Sequence, residues 1–194
     1  CSVSLLRTEV SSNRAWADGG GARFEGGTAD PSESPFVSNT GADGGGAMFV
    51  GAAGVTQESV FEDNTGHVGG GAWFDASYTF TRNVVRRNVA LYSGGGFAGV
   101  RHAGEIRYNQ IYENSCGTDG GGGFTETSTG LVARNDFFDN VATDDAGGLR
   151  MLYGGAVIED NTFRSNVASG GDGGAMKVSH NKNELRNNLF EDNA

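Results

Sequence analysis

Apolar and polar positions along the chain keep a beat of about 25 residues rather than a helical or simple alternating one. An apolar residue followed three positions later by Asn appears at Val10/Asn13, Phe36/Asn39, Phe61/Asn64, Val85/Asn88, Ile111/Asn114, Phe137/Asn140, Phe163/Asn166 and Phe190/Asn193. A glycine motif runs in phase with it. Taken as a Gly-Gly pair plus the next residue, its blocks end at Ala22, Ala47, Ala72, Phe97, Phe124, Leu149 and Ala175, in steps of 25, 25, 25, 27, 25 and 26 residues. Two motifs sharing one period over the whole chain define a repeat architecture.

Adjacent glycines in every unit exclude helical repeats, since each costs about 1 kcal/mol in a helix interior. The eight Leu residues are too few for leucine-rich repeats. Short strands fit. Side chains alternate between the faces of a strand, so the first and third residues after each Gly pair share one face. Ala precedes Phe24, Phe49 and Phe74, and Phe97 precedes Gly99, so large and small residues trade places in one core layer. Glu126 and Lys177 break that pattern at the third position.

A second inward row lies five residues before the motif apolar: Pro31, Thr56, Phe80, Ile106, Val132, Ile158 and Leu185. Between the two rows runs another polar series, Ser34, Ser59, Asn83, Asn109, Asn135, Asn161 and Asn188. Asn tolerates left-handed backbone angles and bonds nearby backbone at turns, which places both Asn series at corners. Stacked Asn side chains would also satisfy one another from coil to coil. Two residues past the second Asn the chain carries only Ala, Gly or Cys, including Ala15, Gly41, Cys116 and Ala168, as a narrow inward corner requires.

Three short strands and three corners in about 25 residues predict an all-β fold, a right-handed parallel β-helix (solenoid) of about seven coils. It forms one continuous repeat domain over residues 1–194. The glycines then turn the chain where a Cβ would clash or where φ must be positive.

The residues also resemble a known family. GGA at 20–22, 45–47, 70–72, 154–156 and 173–175, with FxxN at 36–39, 61–64, 137–140, 163–166 and 190–193, is similar to the repeat of polymorphic outer-membrane proteins, whose fold is of the pectin-lyase-like type. The resemblance implies a β-helical, often adhesive passenger on a bacterial surface, exported by an autotransporter route. The family's GGA is usually followed by Ile, Leu or Val, whereas Arg23, Met48, Trp73 and Met176 follow here.

Composition alone points elsewhere. Leu, Ile, Val and Phe make up 39 of 194 residues and the net charge is −10, a profile close to that of disordered chains. Fixed register of Phe and Asn overrides it. The same charge, with a pI near 4.6, argues against nucleic-acid partners, which need basic tracks. No apolar stretch approaches the roughly 20 residues of a membrane span. The sixteen Asn residues include no N-x-Ser/Thr acceptor. Ends that cut inside repeats, without an initiating Met, suggest a processed chain or excised segment, and Cys1 would suit a lipidated N-terminus.

Candidate chemistry is thin. Outward residues on the strand after the glycines read Arg23, Met48, Trp73, Ala98, Thr125, Arg150 and Met176. The outward row two residues further on is Glu25, Val50, Asp75, Val100, Thr127, Leu152 and Val178. Glu25 and Asp75 lie two coils apart, about 9.6 Å by the strand spacing, near the upper limit for an inverting glycosidase pair. Solvated acids are the simpler reading. Asp18, Asp43, Asp119 and Asp172 precede Gly blocks and invite Ca²⁺, which takes six to eight oxygens. Val68, Ser93 and Ala146 interrupt that row, so turn-capping by Asp is favoured. His67, His102 and His180 fall in different phases of the repeat and form no ligand cluster. Trp16, Trp73 and Tyr92 are candidate carbohydrate platforms. Charges near the second Asn corner alternate between coils, pairing Glu62 with Arg86 and ordering Asp63, Arg87 and Glu113.

The sequence therefore predicts a non-enzymatic structural or adhesive segment, extracellular or at the bacterial surface, acting as spacer and display scaffold. No catalytic, cofactor-binding or metal-binding residues are assigned. A carbohydrate-active β-helix (lyase or glycoside hydrolase) is the alternative; three clustered carboxylates, or a Lys/Arg beside them, would favour it. Expected partners are neighbouring coils or subunits at the open ends and a carbohydrate or other cell-surface ligand.

Overall fold

In the computed structural model, which describes residues 2–194, every coil repeats one path. The third is typical: Ala72–Asp75, Tyr78–Thr81, Val84–Arg86 and Val89–Ala90. Stacking these segments gives four parallel sheets, here sheets I to IV in that order, of seven, eight, eight and five strands. The coil has four strands where three were predicted. Sheet IV strands are two residues long, from Thr65–Gly66 to Val167–Ala168, too short to leave an alternation in the sequence.

The predicted columns are present. Phe36, Phe61, Val85, Ile111, Phe137 and Phe163 are register partners along sheet III and are fully buried. Rings stack where Phe follows Phe, with centroids 4.8 Å apart for Phe36–Phe61 and for Phe137–Phe163. Thr56, Phe80, Ile106, Val132 and Ile158 form the facing column on sheet II. The predicted small-residue corner is also internal: Ala90, Cys116 and Ala142 pack together behind sheet IV.

Both Asn series are hydrogen-bonded ladders. Asn64, Asn88, Asn114, Asn140 and Asn166 each give their backbone N–H and Nδ2 to the Oδ1 of the Asn one coil on. The second Nδ2 hydrogen goes to a backbone carbonyl of the preceding coil, as from Asn88 to Phe61. Buried amides are thereby fully satisfied. The left-handed residue at these corners is not the Asn, as predicted, but the one before it. Ser38, Asp63, Arg87, Glu113 and Asp139 have φ of 52–55°, and Glu58, Arg82, Tyr108 and Arg134 of 51–57°. The ladder Asn keeps ordinary φ and points inward, while its exposed predecessor makes the turn.

The glycine turns follow one rule. Each starts with a residue at positive φ, such as Gly69 at 66°. The two positions that follow, Gly in every coil but the last, where Ala175 takes the second, face neighbouring backbone, and a Cβ on Gly70 would lie 2.4 Å from the Gly95 carbonyl oxygen. The first inward residue of sheet I follows. In two coils this differs by one position from the predicted phase. Phe97 pairs with Gly123, not Phe124, and Leu149 pairs with Met176, not Ala175. One residue of slip exchanges faces, so Thr125 is inward while Phe124, Glu126 and Lys177 are outward. The anomaly at Glu126 and Lys177 disappears. Gly123 is required there because a Cβ would lie 2.4 Å from the Phe97 ring.

Candidate functional site

The corrected phase changes the acidic row. Asp145, not Ala146, stands four residues before an inward position, in line with Asp119 and Asp172. The Gly120 N–H donates to Asp145 O and the Ala146 N–H to Asp172 O, so the three aspartates occupy consecutive coils. Their carboxylates cap the turns: Asp119 Oδ1 accepts the Asp145 N–H at 3.2 Å, and Asp145 Oδ1 accepts the Asp172 N–H at 3.0 Å.

The outward sheet I residues beside them are Arg150 and Lys177. Lys177 Nζ lies 2.6 Å from Asp145 Oδ2 and 3.0 Å from Asp172 Oδ2. Arg150 Nε lies 3.8 Å from Asp119 and 4.0 Å from Asp145. Arg150 is 7% exposed, its Nη1 donating to the backbone of Met151 and Lys177 and to Ser179 Oγ. Its buried Nε makes no hydrogen bond. Burial and then the Asp145 charge push the Asp119 carboxyl above the usual range, against the pull of the Asp145 N–H and Arg150. At Asp145 burial also pushes upward, but the Asp172 N–H, Lys177 and Arg150 together hold the carboxyl below its ordinary value. The stack is thus an interleaved ladder of three carboxylates and two cations. Among the described residues no His, Cys, Asp and Glu group is arranged to hold a metal.

The other predicted residues stay apart. Glu25 pairs with Arg23 at 3.1 Å, while Asp75 accepts the Gly51 N–H and lies 3.9 Å from Arg101. Asp18 and Asp43 stand at the far end of the acidic row, separated from Asp119 by Val68 and Ser93; burial, then Asp18, raises the Asp43 pKa. Glu62 pairs with Arg86 at 2.8 Å and Asp63 with Arg87 at 2.9 Å, but Arg87 turns to Glu62 rather than Glu113. His102 is buried, its Nε2 2.7 Å from Tyr78 O. His180 lies 5.5 Å from Tyr153, ring to ring.

Of the aromatic candidates, Trp73 is half-buried on sheet I, one step from Ala98 and two from Phe124. Trp16 and Tyr92 belong to a different face. Beside sheet IV a surface groove has two lobes, of about 270 and 300 Å³, that share Thr40, Gly41 and His67. Trp16 stands 91% exposed at one end, and the Tyr92 ring meets His67 edge-on at 6.0 Å. That Trp16, His67 and Tyr92 share a face is not legible in the sequence, because the two-residue strands of sheet IV leave no pattern there.

This all-parallel coil defines a class, the parallel β-solenoids. The family model for the right handed beta helix region matches residues 93–194, just over half of the chain, and the chain belongs to that family. No curated protein and no solved structure matches it. Among the described residues no helix is long and apolar enough to cross a membrane.

Proposed function

We propose that this chain is a non-enzymatic, rod-like segment that spaces and displays binding surface outside the cell, on a bacterial surface protein of the kind its GGA and FxxN repeats resemble. The observation that carries this reading is the internally paired state of its richest charge cluster. Each of Asp119 and Asp145 caps a backbone N–H of the next coil, and Lys177 bridges Asp145 and Asp172. A general acid or base needs a group free to give or take a proton at the substrate, and the Asp119 and Asp145 carboxylates are committed to turns and ion pairs. Further coils or subunits at the ends, where Leu185, Leu189 and Phe190 are exposed in the last coil, would extend the rod.

A carbohydrate-active reading is favoured by one specific feature, the stack of Asp119, Asp145 and Asp172 beside Arg150 with its unbonded Nε. Incubating the purified chain with acidic and neutral polysaccharides, with and without Ca²⁺, separates the two. No new reducing ends and no unsaturated products are expected. Turnover that disappears in Asp145→Asn or Arg150→Ala would establish the enzymatic reading instead.

A further inference from the structure

We infer that the groove beside sheet IV, between Trp16 and Leu91, is a binding site for a neutral saccharide chain; this deepens the display reading given above. The groove arises from the repeat. Outward residues before and after the small inward corner form two walls, Arg14, Thr40, Thr65 and Val89 on one side and Trp16, Ala42, His67 and Leu91 on the other. Gly41 and Gly66 floor it, where later coils carry Ala90, Cys116 and Ala142.

Three observations give the ligand its chemistry. Trp16, on the first coil, exposes nearly its whole indole, with the Arg14 guanidinium 4.9 Å from the ring centroid. Two coils on, about 9.6 Å along the axis by the strand spacing, His67 rises with Tyr92 against it, while Ala42 leaves the space between them open. Rings at two ends of a slot suit the apolar C–H faces of successive sugar rings, as amphipathic aromatics suit ligands with one dry and one wet side. The Thr40 and Thr65 hydroxyls are exposed along the wall, engaged by no partner among the described residues, and free to bond sugar hydroxyls. Finally, Asp18 and Asp43 follow Trp16 and Ala42 along the same edge, and the chain carries −10. That field repels carboxylated or sulfated polymers and selects an uncharged one.

The test titrates the full chain, with Trp73→Phe so that Trp16 is the sole indole reporter, against neutral gluco-, manno- and N-acetylglucosamine oligosaccharides and against polygalacturonate. At least one neutral series should shift Trp16 emission and saturate, and polygalacturonate should not. Trp16→Ala and Ala42→Arg, the second filling the slot, should each weaken binding tenfold or more in titration calorimetry without shifting the thermal midpoint. Binding that survives both substitutions overturns the groove assignment while leaving the display reading intact. No binding by any neutral series, equal binding of polygalacturonate, or a Trp16-dependent dimer in sedimentation also overturns it. Failure of the display reading would register separately, as polysaccharide turnover.

Discussion

Asn88 Oδ1 receives two hydrogen bonds from Asn64, one from its backbone N–H and one from Nδ2, each at 3.0 Å. Asn88 Nδ2 in turn bonds Phe61 O and Asn114 Oδ1. One side chain thus serves three coils. Asn88→Ala strands two buried donors on Asn64, removes a donor from Phe61 O and leaves Asn114 Oδ1 with only the backbone N–H of residue 88, each unsatisfied group costing about 1–3 kcal/mol. A loss of roughly 3 kcal/mol is expected in urea unfolding. Asn88→Asp should fare no better at pH 7, since it aims a carboxylate at two oxygens. A loss under about 1 kcal/mol for either would show that the ladder contributes little.

The Phe column should be sensitive in its middle. Phe61, Phe137 and Phe163 are fully buried and stacked on neighbours. Truncating any one to Ala should cost about 3–5 kcal/mol. Phe190 is 45% exposed, so Phe190→Ala should cost markedly less. Equal losses at Phe190 and Phe163 by denaturant titration would contradict the burial gradient.

What the sequence disclosed follows from what its side chains mark. Phe36, Phe61, Asn64 and Asn88 carry the columns and ladders openly, because a large ring or an amide recurs at each coil. Gly120 to Gly123 carry no side chain, so four identical positions could not say which one faces inward; the slip at Phe124 began there. The GGA at 173–175 caused the second, since Ala175 looks like the inward Ala of earlier coils. Anchoring on Asp119, Asp145 and Asp172, each four residues before the inward position, would have found the phase and the charge ladder. Tolerance of positive φ points to Asn as the left-handed corner residue, whereas stacking demands an inward Asn and leaves the turn to Asp63 or Arg87.

Ala146 is the exception among the glycine turns. It holds φ of 58° where Gly44, Gly69, Gly94, Gly120 and Gly173 stand in other coils. An L-residue in that region costs about 1–2 kcal/mol, partly offset by the greater unfolded-state freedom of Gly. Ala146→Gly should therefore stabilise the chain by about 0.5 kcal/mol. Gly70→Ala, which drives a Cβ into Gly95 and Val89 carbonyls, should destabilise by about 3 kcal/mol. Calorimetric midpoints moving in the same direction for both would refute this account of the turns.

His102 supplies a pH dependence with a definite sign. Burial lowers its pKa below the usual imidazole value, only partly opposed by the bond to Tyr78 O. The unfolded chain therefore takes up a proton near pH 6.5 that the folded chain still refuses. The contribution is fully present above pH 6.5 and is lost as pH falls from there toward the folded pKa. Urea midpoints at pH 7.5 and 5 should differ more for the native sequence than for His102→Gln. Identical differences would mean that His102 does not titrate across unfolding.

Cys116 should be inert in the folded chain. It packs between Ala90 and Ala142 behind sheet IV. Burial pushes its thiol up to about 12, against the pull of the Thr118, Gly95 and Gly94 N–H groups. A thiol so protonated is a small apolar residue rather than a nucleophile. It is free in this structure, and Cys1 lies outside the described residues. Cys116 lies four coil steps beyond the strand Ser2–Leu6, about 19 Å along the axis at about 4.8 Å a step, where a disulfide spans only about 7 Å. Thiol labelling should therefore reach Cys116 only on unfolding, and a non-reduced digest should contain no Cys1–Cys116 peptide. Cys116→Ala should change stability by less than about 1 kcal/mol, since Ala fills this corner in the coils on either side. Fast labelling of Cys116 under native conditions, or an intrachain Cys1–Cys116 link, would require a different coil phase.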